Sequence, residues 1–266
     1  MYKIAIVGAA TIRGKELSEA FAESTFAAAD FSLMDDESQL GQLEAVGDEV
    51  TFIQRIEPSA FDGMDFVFFA GSEAVTQRHW KFAQKAGASI VDLSYALEGK
   101  PGVLVRAPWL DEARHDEINL STPAVVPAHP VSVALALVMT RLQKLGGVNS
   151  ASATVLEPAS EYGHAALDEL HQQTVGLLNF QTPPKVIYDT QVAFNVAPVL
   201  GGEAKADLRG SEARIRRHYD LLAGKNLPGL PVQLLHAPVF HGHGISLAVE
   251  FQRAVGLGQV EAALAG

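Results

Sequence analysis

The opening residues constrain this chain more than any others. Lys3 is followed by a short apolar run to Val7 that enters Gly8-Ala-Ala-Thr-Ile-Arg-Gly14, after which Lys15–Glu23 carries Leu17, Ala20 and Phe21 at helical spacing. A buried strand, a glycine-bearing loop and a helix in that order open a Rossmann unit. Glycine there permits a tight turn and lets backbone N–H groups at the helix N-terminus approach a pyrophosphate. Gly8, Thr11, Ile12, Arg13 and Gly14 are therefore the first candidate cofactor-binding residues, with Thr11 where a middle glycine is expected. The motif is weak by itself and gains its weight from the strand-loop-helix context.

The pattern then repeats. Asp65–Ala70 reads as a buried strand, Gly71-Ser72-Glu73 as its turn, residues 74–86 as a helix, and Ser89-Ile-Val-Asp92 as the next strand. Strand-helix-strand units with short connections imply a parallel sheet, whose ligands bind beyond the carboxyl ends of the strands. Gly71 and Ser94 fall at such ends and join the cofactor set, against an ordinary turn-and-cap role. After the second strand, Phe31–Met34, come Asp35, Asp36 and Glu37, about where an acid meets the ribose 2′-OH of NAD. Three carboxylates repel a 2′-phosphate, so NAD is favoured over NADP; the alternative is a solvated acidic turn.

Beyond this half the character changes at Ser121–Leu135, where an apolar run meets a loop bracketed by Pro127 and Pro130 and holding His129. Pro130–Leu145 follows as a long helix. Residues 148–156, 232–239 and 245–251 alternate as strands, and 165–178 and 212–222 read as amphipathic helices. The expected architecture is α/β: a Rossmann-like parallel-sheet domain over 1–127 and an α+β domain over 128–266.

Composition removes several functions. Twenty basic against 31 acidic residues give a net charge of −11, and no basic patch stands out, which argues against nucleic acid. No apolar run reaches the ~20 residues of a membrane span and no signal-peptide pattern leads the chain, so a cytoplasmic protein is expected. There is no cysteine, hence no disulfide, thiolate metal site or thiol nucleophile. His241 and His243 would share a face of a strand, but no third ligand has suitable spacing and Gly242 and Gly244 would bend that strand, so no metal is assigned. Ser132 and Ser160 lack a nucleophile-elbow sequence.

In order, these segments resemble the aspartate-semialdehyde dehydrogenase family. Gly8–Gly14 is similar to its cofactor loop, Phe69-Ala-Gly-Ser72 to its Phe-Ser-Ala-Gly turn, and Ile90-Val-Asp-Leu-Ser94 to its Val-Ile-Asp-Asn-Ser. Gln191-Val-Ala-Phe-Asn195 with Pro198, and Ala237-Pro-Val-Phe-His-Gly-His243, resemble signatures of its second domain. Similarity is greatest to the Usg-type paralogues, which read Val-Pro in the loop and lack the catalytic cysteine. The resemblance implies a second domain of the glyceraldehyde-3-phosphate-dehydrogenase-like type, incomplete at its C-terminus relative to the family, and a homodimer. It implies that His129 occupies the position of the nucleophilic cysteine, that His243 is the acid/base histidine, and that Glu212 and Arg214 are the substrate residues. The expectation is a homologue without efficient semialdehyde dehydrogenase activity, serving in binding or as a scaffold. The alternative is an active NAD(P)-dependent oxidoreductase on another small aldehyde or acid, with His243 as acid/base and His129 orienting the substrate.

Overall fold

The first strand, β1 (Lys3–Val7), has no solvent face beyond its first residue, and the sheet grows outward from it. The structure is a computed structural model describing residues 1–36, 41, 43–46, 49–114 and 122–265. It divides into two compact units, Met1–Arg106 with Ile118–Pro127, and Ala107–Glu117 with Ala128–Gly266.

In the first unit the chain runs β1, α1 (Ile12–Ala22), β2 (Asp30–Asp35), a hairpin of β3 (Leu43–Val46) and β4 (Glu49–Phe52), β5 (Gln54–Arg55), β6 (Phe66–Phe69), α2 (Glu73–Lys85), β7 (Ser89–Asp92), β8 (Leu104–Arg106) and β9 (Val125–Pro127). Seven strands form one sheet in the order β5-β2-β1-β6-β7-β9-β8, parallel throughout. Side chains alternate across it. Ile4 and Ile6 pack with Phe21 and Leu33 on one face, and Ala5 and Val7 with Phe61, Val67 and Ala83 on the other. Burial on both faces is what an all-parallel sheet requires, and it explains the unbroken apolar run.

Helix α1 begins three residues earlier than its apolar spacing predicts. Thr11 takes the N-cap position, its hydroxyl accepting from Gly14 N at 3.0 Å, so the glycine loop already contains the first helical turn. The β3–β4 hairpin has no counterpart among the sequence expectations.

The second unit holds α3 (Pro108–Arg114), α4 (Pro130–Gly146), β10 (Val148–Glu157), α5 (His164–Leu178), α6 (Leu208–Ala223), β11 (Val232–His236), β12 (Gly244–Phe251) and α7 (Leu257–Leu264). Its sheet is mixed, in the order β11-β10-β12, with β10 parallel to β11 and antiparallel to β12. Helix α4 buries Val131, Leu135, Ala136, Met139 and Leu142, one stripe at three- and four-residue spacing. β11 ends at His236 rather than at Val239. Pro238 has no N–H for the ladder, and Val239 N turns back to Ala237 O at 2.8 Å.

A buried polar pair on α5 shapes the long connection that follows it. Glu169 accepts the backbone N–H of Val186, Ile187 and Tyr188 at 2.6, 2.7 and 3.2 Å. One turn later the Gln173 amide donates to Pro184 O and Thr190 O and accepts from Val192 and Ala193 N. Four residues apart on one helix face, these side chains replace the secondary structure that the segment lacks.

Candidate functional site

The cofactor candidates of the first unit meet at the carboxyl ends of β1 and β6. Gly8 has φ +88, and a Cβ there would stand 2.3 Å from Gly71 N; a Cβ on Gly14 would stand 2.3 Å from Gly8 O. Both positions therefore require glycine, one for backbone conformation and both for close approach. The Thr11 hydroxyl lies 2.8 Å from Gly8 O and 3.0 Å from Ala70 O, joining the two strand ends. Ile12 and Arg13 form the first turn of α1, and the exposed Arg13 guanidinium donates to Leu93 O. Ser94 is buried in a local network: its hydroxyl bonds Asp92 Oδ1 at 2.6 Å and Thr76 Oγ1 at 2.8 Å, while Leu97 N reaches Asp92 Oδ2 at 2.8 Å.

The acidic run after β2 separates into unlike parts. Asp35 is buried, and its carboxylate accepts Ala10 N and Asp36 N, both at 2.9 Å, which fixes the glycine loop against β2. Asp36 is exposed, and Glu37 lies outside the described residues.

In the second unit the loop before α4 is built around His129, which is 1 % exposed. Its imidazole Nδ1 accepts Val131 N at 3.3 Å as the N-cap of α4, with Pro130 at the first helical position. Helix α6 grips the same loop: His129 N donates to His218 Nδ1 at 2.9 Å, and the Ser132 hydroxyl donates to Ile215 O at 2.8 Å. His129 Nε2 faces Glu161 Oε1 at 3.6 Å. The His129 and His243 rings meet edge to face with centroids 5.8 Å apart. Burial holds the His243 imidazolium below its usual range, with Glu161 opposing that shift and His129 adding to it.

His129 and His243 are thus brought together, and Glu161 completes a cluster whose ligand-capable atoms all lie within 4.8 Å of one another. The sequence argument found no third ligand of suitable spacing, and the structure supplies one that is remote in the sequence. The shared strand face of His241 and His243 does not form, because Gly242 has φ +83 and β12 starts only at Gly244. The third group comes instead from the short 3-10 turn Ala159–Tyr162 that closes β10. No local spacing signals it.

Glu212 and Arg214 both lie on α6 but face different ways. Glu212 accepts Leu234 N at 2.8 Å and pairs with Arg216 at 3.0 Å, tying the helix to β11. Arg214 is half-buried and one turn before His218, on the side of the helix that holds the His129 loop. A second buried cluster went unread in the sequence. Tyr162 donates to Glu157 Oε2 at 2.6 Å, and His236, in register with Glu157 on the adjacent strand, packs on Tyr188 with the rings tilted by 39° and centroids 4.7 Å apart. Burial pushes the Glu157 carboxyl up to about 8 and His236 down to about 4.

Comparison with known proteins covers both units. Residues 3–130 match the family model of the semialdehyde dehydrogenase NAD-binding domain, and residues 140–266 that of the semialdehyde dehydrogenase dimerisation domain. A USG-1 protein homolog of Azotobacter vinelandii is 33% identical over 266 residues, 98% of this chain and 77% of the relative. An aspartate-semialdehyde dehydrogenase of Rickettsia bellii is 25% identical over 98% of this chain and 76% of its own length. The solved structure of a probable aspartate-semialdehyde dehydrogenase from Pseudomonas aeruginosa superposes with a TM-score of 0.84 at 25% identity, covering 99% of this chain and 78% of that one.

Proposed function

The chain belongs to the aspartate-semialdehyde dehydrogenase family, with USG-1 homologues among its relatives, and from that premise we propose that it is a nucleotide-binding homologue without efficient semialdehyde oxidation. The observation that carries this reading is the state of His129. Hydride leaves an aldehyde carbon only after a nucleophile has added to it, and a thiolate both adds well near neutral pH and departs well from the acyl intermediate. No cysteine exists anywhere in the chain. The imidazole assigned to that position is buried, with one nitrogen capping α4 and the other turned to Glu161. Losing the nucleophile of a covalent enzyme lowers the rate on the order of 10⁶-fold, equivalent to ~8 kcal/mol of barrier.

The cofactor of this reading is NAD in preference to NADP, held at Gly8, Thr11, Ile12, Arg13, Gly14 and Gly71 with Ser94 beside the β7 end. Its support is the pair of obligatory glycines at the head of α1 and the acidic Asp35 and Asp36 after β2. His243 would keep the acid/base position, and Arg214 with Glu212 the substrate side. The dimerisation-type second domain supports a homodimer.

Two measurements test the proposal. Thermal unfolding with millimolar NAD, NADP or neither should show a rise with NAD, by mass action, that is smaller with NADP and lost in Arg13→Asp, an exposed position that folding tolerates. No shift with either nucleotide removes the cofactor claim. Absorbance followed with aspartate semialdehyde, phosphate and each nucleotide should stay at background, and turnover of ~1 per second or faster would overturn the claim of an impaired site. Turnover of a different small aldehyde, abolished in His243→Ala, would instead make the protein an active oxidoreductase.

A further inference from the structure

We propose that His129, Glu161 and His243 form a binding site for a divalent transition metal of the zinc class. Two imidazoles and one carboxylate are a ligand set that borderline cations favour, and without cysteine there is no thiolate in the chain to compete for them. The three ligand-capable atoms lie within 4.8 Å of one another, and the His129 Nε2 to Glu161 Oε1 distance is already 3.6 Å. Tetrahedral zinc with ~2.0–2.1 Å bonds holds its ligand atoms roughly 3.3 Å apart, so the required contraction is small. Glu161 can supply it, being a half-exposed carboxylate on a long side chain at the end of a 3-10 turn.

Independent observations point the same way. His243 Nε2 is buried with no hydrogen-bond partner among the described residues, a condition with a solvation cost that a metal bond would relieve. His129 is held from outside the cluster, its backbone bonded to His218 and its helix to Ile215, which fixes a first ligand on a rigid element. Val131 N–H points at Nδ1, so the metal-free ring carries its proton on Nε2, toward Glu161. The cation therefore binds Nε2, the ring's single proton shifts to Nδ1, and the 3.3 Å cap is given up. Three protein ligands leave a fourth position for water, as in catalytic rather than structural zinc sites. Nucleotide binding plays no part in this proposal and can fail without affecting it.

The test is titration of the tag-free, chelator-treated full chain with Co²⁺, reading the visible ligand-field bands of low-coordinate cobalt, followed by displacement with Zn²⁺. One cobalt per chain is expected, with a dissociation constant in roughly the micromolar range or below. Glu161→Gln and His243→Ala should each weaken binding about 100-fold or more and remove the bands, with unchanged circular dichroism showing that both are folded. His241→Ala, altering an exposed neighbour outside the cluster, should leave the titration as it is. Absence of a stoichiometric site, bands that persist in Glu161→Gln and His243→Ala, or an equal loss in His241→Ala would each overturn the proposal.

Discussion

Glu157 and His236 lie side by side on adjacent parallel strands and are displaced in opposite directions by the same burial. For Glu157 the Tyr162 and Ser211 hydrogen bonds partly offset burial, while Glu161 and Asp207 add to it. Between pH 4.5 and about 8 the folded chain keeps a proton that the unfolded chain releases. That contribution to stability is complete below 4.5 and is lost as pH rises through 8. His236 behaves inversely, its contribution being lost as pH falls from 6.5 towards 4, and the lowered His79 and His243 act on that same acid side. Above pH 6.5 the carboxyl is therefore left to act without opposition from these histidines, with a slope of at most about 1.4 kcal/mol per pH unit. Denaturant unfolding at pH 6 and 8.5 should show the native chain losing on the order of 1–2 kcal/mol, a loss that Glu157→Gln, which still accepts from Tyr162, largely removes. Equal losses in both proteins would assign the pH dependence elsewhere.

At the scale of elements, α5 is more than a covering helix. Glu169 and Gln173 bind the backbone of residues 184–193, a stretch containing part of the Gln191–Asn195 signature, and so determine the course of a loop without a ladder of its own. Gln173→Ala would strand several buried donors and acceptors. A loss of about 2–4 kcal/mol is expected, seen as a melting temperature lower by roughly 5–15 °C; a change under about 2 °C would mean that the loop is held by other contacts. Strands and helices with a clear apolar period were legible in the sequence, β7 to the residue and α4 to within one residue, because burial on a regular element leaves a regular trace. Glu161, Glu169 and Glu157 were not. Glu161 and Glu169 meet partners distant in the sequence, Glu157 bonds Tyr162 just past its strand end and faces His236 on another strand, and the sequence records no period for contacts of these kinds.

For the whole molecule, the second unit exposes a series of apolar side chains between residues 178 and 199: Leu178, Phe180, Val186, Phe194, Val196 and Val199. They belong to the part matched by the dimerisation-domain model, which makes them candidates for the subunit contact. Phe194 is 63 % exposed at φ 64, a conformation that a bulky residue adopts at some cost and that aspartate tolerates. Phe194→Asp should therefore fold and shift sedimentation from dimer towards monomer; a native chain that sediments as a monomer would refute the dimer itself. No helix among the described residues is long and apolar enough to cross a membrane. The cap that His129 places on α4 also bears on any attempt to place a thiol at this position. His129→Cys would supply a sulfur in place of a ring that holds a helix start, so gain of a nucleophile and loss of an anchor would arrive in a single step. Placing a thiol here therefore runs downhill in stability, and it suits only a chain whose α4–α6 contact has first been strengthened by other means.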